Sequence, residues 1–344
     1  MAYSTIPKSS SYFNPKAYTG TGSSNALTGV GFEPSFTWIK SRSNSYSHTL
    51  TDAVRGYTKH NATNSSNAQY TSTTELTSFD TDGFTLGTDS GVNNNGSTFA
   101  SWNWKANGSG SANGDGTISS TVSVDTTSGF SIVKYTGNAV IGATVGHGLG
   151  VAPKMIIVKN LSASGDWIVY HEAIGNTKRL RLNTTAAEET NAFWNDTTPT
   201  SSVWSMNDNG DGNASGSDYI AYCFAEKQGY SKFGSYVGNG DANGSFIYTG
   251  FKPAFVMSKY ASGGGTGSWH MYDNKRKGYN TENDYVQANT TSTENSDTDQ
   301  VDLLSNGFKW RANGSETNTN GGTFIYMAFG QPIVSTNGDI ATAR

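Results

Sequence analysis

The chain has 344 residues, of which 34 % are hydrophobic and 15 % charged, with a net charge of −4. That charge leaves no basic footprint for nucleic acid, no apolar run approaches the ~18 residues of a membrane span, and the one cysteine, Cys223, excludes an internal disulfide framework. Aromatics reach 12 %, which argues against disorder, because disordered chains are usually charged and aromatic-poor.

The N-terminus, MAYSTIPKSSSYF, lacks the apolar core of a signal peptide, so synthesis in a cytoplasm without the usual export is expected. Residues 1–11 read as a docking segment, since terminal segments often order only on a partner. Three phrases then recur in fixed order. A Tyr-x-Gly phrase begins at Tyr18, Tyr135 and Tyr236. A Gly-x-x-Pro motif leads into an apolar run ending in Lys: GFEPSFTWIK (Gly31 to Lys40), GVAPKMIIVK (Gly150 to Lys159) and GFKPAFVMSK (Gly250 to Lys259). A small-residue turn runs into an aromatic strand from Asn95, Ser215 and Asn320. Tyr to Pro spans 16, 18 and 17 residues, and Pro to the turn glycine 62, 63 and 68, so one unit is repeated three times. At about a hundred residues, each unit is long enough to own a core.

Within each unit the apolar residues alternate with period two, as in Tyr219, Ala221 and Cys223, and Gly, Asn, Ser and Asp bound the runs as turns. Pro34, Pro153 and Pro253 stand just ahead of the apolar strand, where proline costs no ladder bond. Helix signals are confined to Thr184 to Thr190 (TTAAEET), with a short turn at Asp52 to Tyr57. The expected fold is all-β: three tandem β-sandwich domains of jelly-roll or concanavalin-like type. The boundaries are 12–106 for repeat one, a Gly/Ser-rich linker at 107–129, 130–228 for repeat two, 229–330 for repeat three and a tail at 331–344. The first half of the linker reads as flexible, whereas Thr117 to Val124 alternates like a strand added to repeat two. Independent cores imply that replacing any of the three prolines loosens one repeat and leaves two folded.

Residues that could carry chemistry are few. His48, His171 and His270 each follow the apolar strand, and Asp52…Arg55 aligns with Asp273…Arg276, but repeat two lacks both partners. That favours an Asp–Arg pair pinning a turn over an acid/base pair. There is no Glu-x-Asp-x-x-Glu, no GxSxG and no phosphate loop, and Glu188-Glu189 do not converge, so no enzyme is expected. Asn207 to Asn213 (NDNGDGN) makes Asp208, Asp211 and Asn213 the calcium candidates, set against ordinary Asn-Gly and Asp-Gly hairpin turns. No cofactor is expected beyond that. Cys223 reads as a buried thiol. Sugar sites set aromatic faces beside polar groups, which singles out Trp194, in the loop-like FWNDTTPT, with Trp269 and Tyr272. Packing competes with that reading at all three.

The phrases GHGLGVAPKMIIVKN, YIAYCFAEKQGYSKFGSYVGNG, FIYTGFKPAFVMSK and the ending GGTFIYMAFGQPIVSTNGDIATAR resemble a repeat family of marine tailed phages, closely over Phe130 to Arg344 and more loosely over repeat one. The resemblance implies a virion surface protein made in a bacterial host cytoplasm, of tail-fibre, spike or capsid-attached type, and supplies no catalytic residues. Its implied partners are other virion proteins, copies of itself (a trimer among them) and host surface polysaccharide, with no nucleic acid and no membrane insertion. A lectin-like receptor-recognition module is the alternative, and a polysaccharide depolymerase a third reading.

Overall fold

The computed structural model describes Ser4, Ile6 and residues 8–276, 284–296 and 300–332, and it is all-β, with 44 % strand and 3 % helix. Repeat one forms a six-stranded sheet in the order Phe13–Thr19, Thr98–Trp104, Phe36–Ser41, Thr49–Asp52, Lys59–Asn61, Tyr70–Thr71, and a three-stranded sheet of Asn25–Leu27, Gly83–Leu86 and Leu76–Asp80. Repeat two forms an eight-stranded sheet: Ser111–Asn113, Ser120–Asp125, Phe130–Thr136, Asp218–Phe224, Met155–Asn160, Ile168–His171, Lys178–Arg181, Glu189–Thr190. Its small sheet pairs Ala143–Gly146 with Val203–Met206. Repeat three forms a five-stranded sheet of Ser231–Val237, Thr323–Pro332, Phe251–Ser262, Trp269–Asp273 and Tyr285–Gln287, and a three-stranded one of Phe246–Tyr248, Gly307–Trp310 and Val301–Leu304.

The register of the large sheets is the same in all three repeats. Phe36 lies opposite Trp104, Met155 opposite Phe224 and Phe255 opposite Phe329. The apolar strands Phe36–Ser41 and Met155–Asn160 are buried at every position, which is why they read as continuous apolar runs rather than strict alternations. Each large sheet has one face on its own small sheet. Ile39 joins Leu27 and Phe84, Ile156 joins Val145 and Trp204, and Val256 joins Ile247 and Phe308.

The other face of each large sheet points inward to a second core shared by all three repeats, and there the repeats are not independent. Trp38, Ile157 and Met257, from equivalent positions, belong to one buried cluster. At its centre the rings of Trp104, Phe224 and Phe329 form a triangle, with centroids 6.2, 5.8 and 6.0 Å apart. Equivalent residues meeting at one point place the repeats about an approximate threefold axis within one chain.

Several sequence expectations change. Thr184 to Thr190 is not helical: only Glu189–Thr190 has regular structure, as an edge strand. The linker is structured, since Ser111–Asn113 pairs with Ser120–Asp125 on repeat two's sheet. Pro253 lies inside its strand, at a bulge between Pro253 and Phe255 opposite Gly330, instead of ahead of it. Of the 1–11 segment, Ile6 is buried in the shared core. The tail from 333 onward lies outside the described residues.

Candidate functional site

Two sets of equivalent side chains account for most of the repeated sequence. The first set clasps the Tyr-x-Gly turn. Tyr18, Tyr135 and Tyr236 donate their hydroxyls to Val92 O, Gly212 O and Thr317 O at 2.7, 2.8 and 2.7 Å. The next residue in each receiving turn is a fully buried asparagine: Asn93, Asn213 and Asn318. Their Oδ1 atoms accept the backbone N–H of Thr21, Asn138 and Asn239 at 2.9, 2.9 and 3.1 Å. The glycines of the phrase are required by closeness: a Cβ at Gly20, Gly137 or Gly238 would lie 2.2, 2.4 or 2.2 Å from a backbone oxygen. Asn213→Ala should therefore destabilise the protein by about 1–3 kcal/mol, because the Asn138 N–H loses its buried acceptor. Urea titration checks this, and an unchanged midpoint would show that the clasp is dispensable.

The second set closes the three seams between repeats. The lysine ending each apolar run, Lys40, Lys159 or Lys259, donates to a carbonyl of a neighbouring repeat: Thr291, Ser66 and Thr185 at 3.2, 3.1 and 2.9 Å. Three residues beyond each acceptor, the N–H of Glu294, Gln69 or Glu188 returns to the carbonyl of Arg42, Leu161 or Ala261 at 2.8, 3.1 and 2.9 Å. Burial pushes Lys40 and Lys159 down to about 8 and Lys259 to about 7, against the upward pull of nearby carboxylates.

A ring N–H crosses at each seam as well. Trp167 and Trp269 donate Nε1–H to Ala62 O and Arg181 O at 3.0 and 2.9 Å. In repeat one His48 takes that position: Trp38 donates to its Nδ1 at 2.8 Å, so Nε2 carries the hydrogen and meets Gln287 O at 3.0 Å. Asn64, Asn183 and Asn289 accept the backbone N–H of these three residues at 2.9, 3.0 and 2.9 Å.

The Asp–Arg pairs do pin turns, with Asp52 Oδ2–Arg55 Nε at 2.5 Å and Asp273 Oδ2–Arg276 Nε at 2.8 Å, and they also face a neighbouring repeat. Asp52 accepts from the Tyr222 hydroxyl at 2.9 Å and Asp273 from Trp102 Nε1 at 3.0 Å. In repeat three the position of Trp102 and Tyr222 is Met327, which offers no donor. The residue facing it is His171 instead of Asp, and its Nε2 meets the backbone oxygen of Tyr326 at 3.2 Å. The irregularity of repeat two is thus a matched change across a seam. His48, His171 and His270 occupy three different positions in the repeat, correcting the expectation that they are related.

The outward surface departs from threefold likeness most clearly at repeat three. On the outer face of its small sheet, Phe246 and Tyr248 are 47 % and 57 % exposed, with exposed Val237 nearby. By register from the inward Ile247, Leu27 and Val145, the corresponding residues are Ala26 and Thr28 in repeat one, and Thr144 and Gly146 in repeat two. Lys309 stands opposite Phe246 and donates to Asn243 Oδ1 at 2.7 Å, so the rings have a polar rim.

A family model described as Domain of unknown function (DUF7483) matches residues 8–332. The chain belongs to that family. The DUF7483 match runs across all three repeats, so the family's unit is the whole threefold body and not the single repeat. No curated protein and no solved structure matches the chain.

In this DUF7483 chain the sugar candidates are buried. Trp194 packs edge-on to Tyr170 at 5.5 Å, Trp269 serves a seam, and the Tyr272 hydroxyl bonds Gln300 Oε1 at 3.0 Å. None offers a ring face to solvent, because the loop-like context of Trp194 is a 3-10 turn folded into the core. Of the calcium candidates, Asn213 is committed to its clasp, Asp211 accepts the Asp166 N–H at 3.1 Å and Asp208 lies in the turn beside them. Among the described residues no three metal-capable side chains converge. Glu188 and Glu189 pair with Lys178 and Arg179. Cys223 is buried, which pushes its thiol far up. Among the described residues no helix is long and apolar enough to cross a membrane.

Proposed function

We propose that this chain is a non-enzymatic structural protein of a phage virion surface, a tail fibre, spike or capsid-attached fibre, and that it contributes to host attachment. The observation that carries this reading is the closure of three repeats about one axis. A threefold body presents like surfaces to a threefold-symmetric shaft or vertex, as symmetric assemblies require. A large sheet and a small sheet around one core in each repeat supports the sandwich reading, of jelly-roll or concanavalin-like type. One chain supplies the threefold character that three copies would otherwise give, so one copy per threefold position is proposed, held by other virion proteins.

Gold-tagged antibody on purified virions tests the location. Gold at a tail tip or on the capsid supports the proposal, and no gold on intact particles overturns it. A second reading, receptor recognition of a host polysaccharide, is favoured by the exposed Phe246 and Tyr248, whose rings can stack on the apolar face of a sugar. Replacing both with Ser should leave the melting temperature unchanged and reduce attachment to host cells about tenfold or more. Unchanged attachment would remove this face from the reading.

A further inference from the structure

The linker does more than join repeats one and two: it closes one side of repeat two. Its Ser120–Asp125 strand pairs with Phe130–Thr136 of the large sheet, with Thr121 opposite Lys134. Just ahead of that strand Ile118 forms a parallel bridge to Val145 of the small sheet, and its N–H donates to Thr144 O at 2.9 Å. Ile118 and Val122 are thereby buried in the core of repeat two. The linker has residues 105–129 with which to do this, whereas only 225–230 separate the last strand of repeat two from the first of repeat three. That stretch is too short to cover anything, and it is used up in the Lys227–Ser231 turn.

Among the described residues the same side of repeat three is open. Ser231–Val237 is the end strand of its large sheet and Phe246–Tyr248 the end strand of its small one. Tyr236 and Ile247, the equivalents of Tyr135 and Val145, keep 8 % and 6 % exposure against 2 % and 0 %. The ladder shows which backbone groups point outward. Gly238 N–H bonds Gly322 O and Gly330 N–H bonds Tyr230 O, so the even-numbered residues face Thr323–Pro332 and Ser235 and Val237 face away. Ser235 is the equivalent of Lys134, the partner of Thr121 in repeat two. The Val237 carbonyl accepts from Ser245 Oγ at 2.8 Å, but no described residue bonds the N–H or C=O of Ser235. In repeat one this edge is blunted, because Pro15 holds an outward position and offers no N–H. The small-sheet edge of repeat three also differs from that of repeat two. A Cβ on Gly146 would lie 1.8 Å from Asn113 Oδ1, so Tyr248 at that position leaves no room for a hairpin like Ser111–Asp125. A single strand remains possible, with the exposed rings of Phe246 and Tyr248 beside it.

We propose that this open side takes up one extended strand from a partner protein, added to the edge at Ser231–Val237. The segment seated at the equivalent place in repeat two defines its chemistry: β-branched apolar residues alternating with Ser and Thr, and no Pro, as in Ser120–Asp125. That the donor is another virion protein rests on the structural reading above. That a strand is bound does not. Peptide binding by the purified chain is read without particles, host cells or glycan, so its failure and the failure of those readings are separate results.

The probe is a fluorescent peptide of residues 117–125, TISSTVSVD, titrated into the full chain and followed by anisotropy. The chain's own linker fills the equivalent place in repeat two, so one peptide should bind per chain. Thr121 and Ser123 face the edge strand in repeat two, opposite Lys134 and Ile132. N-methylating the peptide at those two residues should weaken binding about tenfold or more, and N-methylating it at Val122 and Val124 should not. Ser235→Pro should abolish binding, and Ala17→Pro, the same change in repeat one, should leave it intact. The methylated peptides decide the matter even if Ser235→Pro fails to fold. Equal affinity of the two methylated peptides would overturn the proposal. So would unchanged binding to Ser235→Pro, or no saturable binding up to about 1 mM peptide.

Discussion

Phe224→Ala should destabilise the whole molecule by about 3–5 kcal/mol and still give one unfolding transition. Phe224 belongs to repeat two, but its ring lies 6.2 Å from Trp104 and 6.0 Å from Phe329, one in each neighbour. Removing it leaves a cavity where three sheets meet, and little there can move to fill it. Independent repeats would instead give one early transition and two unaffected ones. Denaturant unfolding followed by tryptophan fluorescence separates the outcomes, because the eight tryptophans are spread over all three repeats, three in repeat one, three in repeat two and two in repeat three. If part of the signal kept its wild-type midpoint in Phe224→Ala, the shared core would not couple the repeats.

Lowering the pH from 7 to 5 should cost the fold several kcal/mol, well before most carboxylates titrate. Burial holds His48 at about 3 and His171 and His270 at about 4, where an unfolded histidine sits near 6.5. Between 6.5 and about 4 the unfolded chain therefore binds protons that the folded chain refuses, so stability falls as pH falls through that window. By pH 5 each of the three contributes a loss of about 2 kcal/mol. Glu75, raised to about 7 chiefly by burial, works the other way, because it takes up its proton more readily in the fold. It lies 3.7 Å from His60, and burial pushes both toward the neutral form, so we do not read them as an ion pair. Burial also lowers His60 and His147, so all five histidines oppose the one glutamate and acid lability is the net effect. Melting temperatures equal at pH 5 and pH 7 would contradict the buried, neutral state of these rings. His48→Gln should lose part of the pH dependence.

The repeats, their strand content and the turn role of Asp52 and Asp273 were legible because each depends on local spacing. The shared core was not. Trp38 and Ile39 both read as core, and nothing in the sequence says that one faces the small sheet and the other an axis. Two repeated motifs were legible and were missed. Asn-Ser/Thr-Ser/Thr-x-x-Gln/Glu begins at Asn64, Asn183 and Asn289, and an asparagine stands three residues before each turn glycine, at Asn93, Asn213 and Asn318. The first contains the Ser/Thr-x-x-Glu/Gln pattern of a helix start, which is why Thr184 to Thr190 reads as helix. Its backbone N–H and C=O groups bond a neighbouring repeat instead, an outcome no local propensity contains. The aromatic pair Phe246 and Tyr248 was hidden for a related reason: only the register shows that Ile247 points in and its neighbours out.

The seam between repeats three and one sets an order of events on the ribosome. Repeat one emerges first, and the face bearing Trp38, Trp102 and Trp104 is covered in stages: repeat two brings Phe130 and Phe224 against Trp104, and the strand Thr323–Pro332 closes the rest. At ~5–20 residues per second the interval before closure is on the order of ten seconds or more, during which part of this aromatic face is open to any apolar surface in the cell. A chain halted before its last strand would present a sticky partial ring. Synthesis of this protein is thus a wager on completion, and holding chaperones would matter most for its first third.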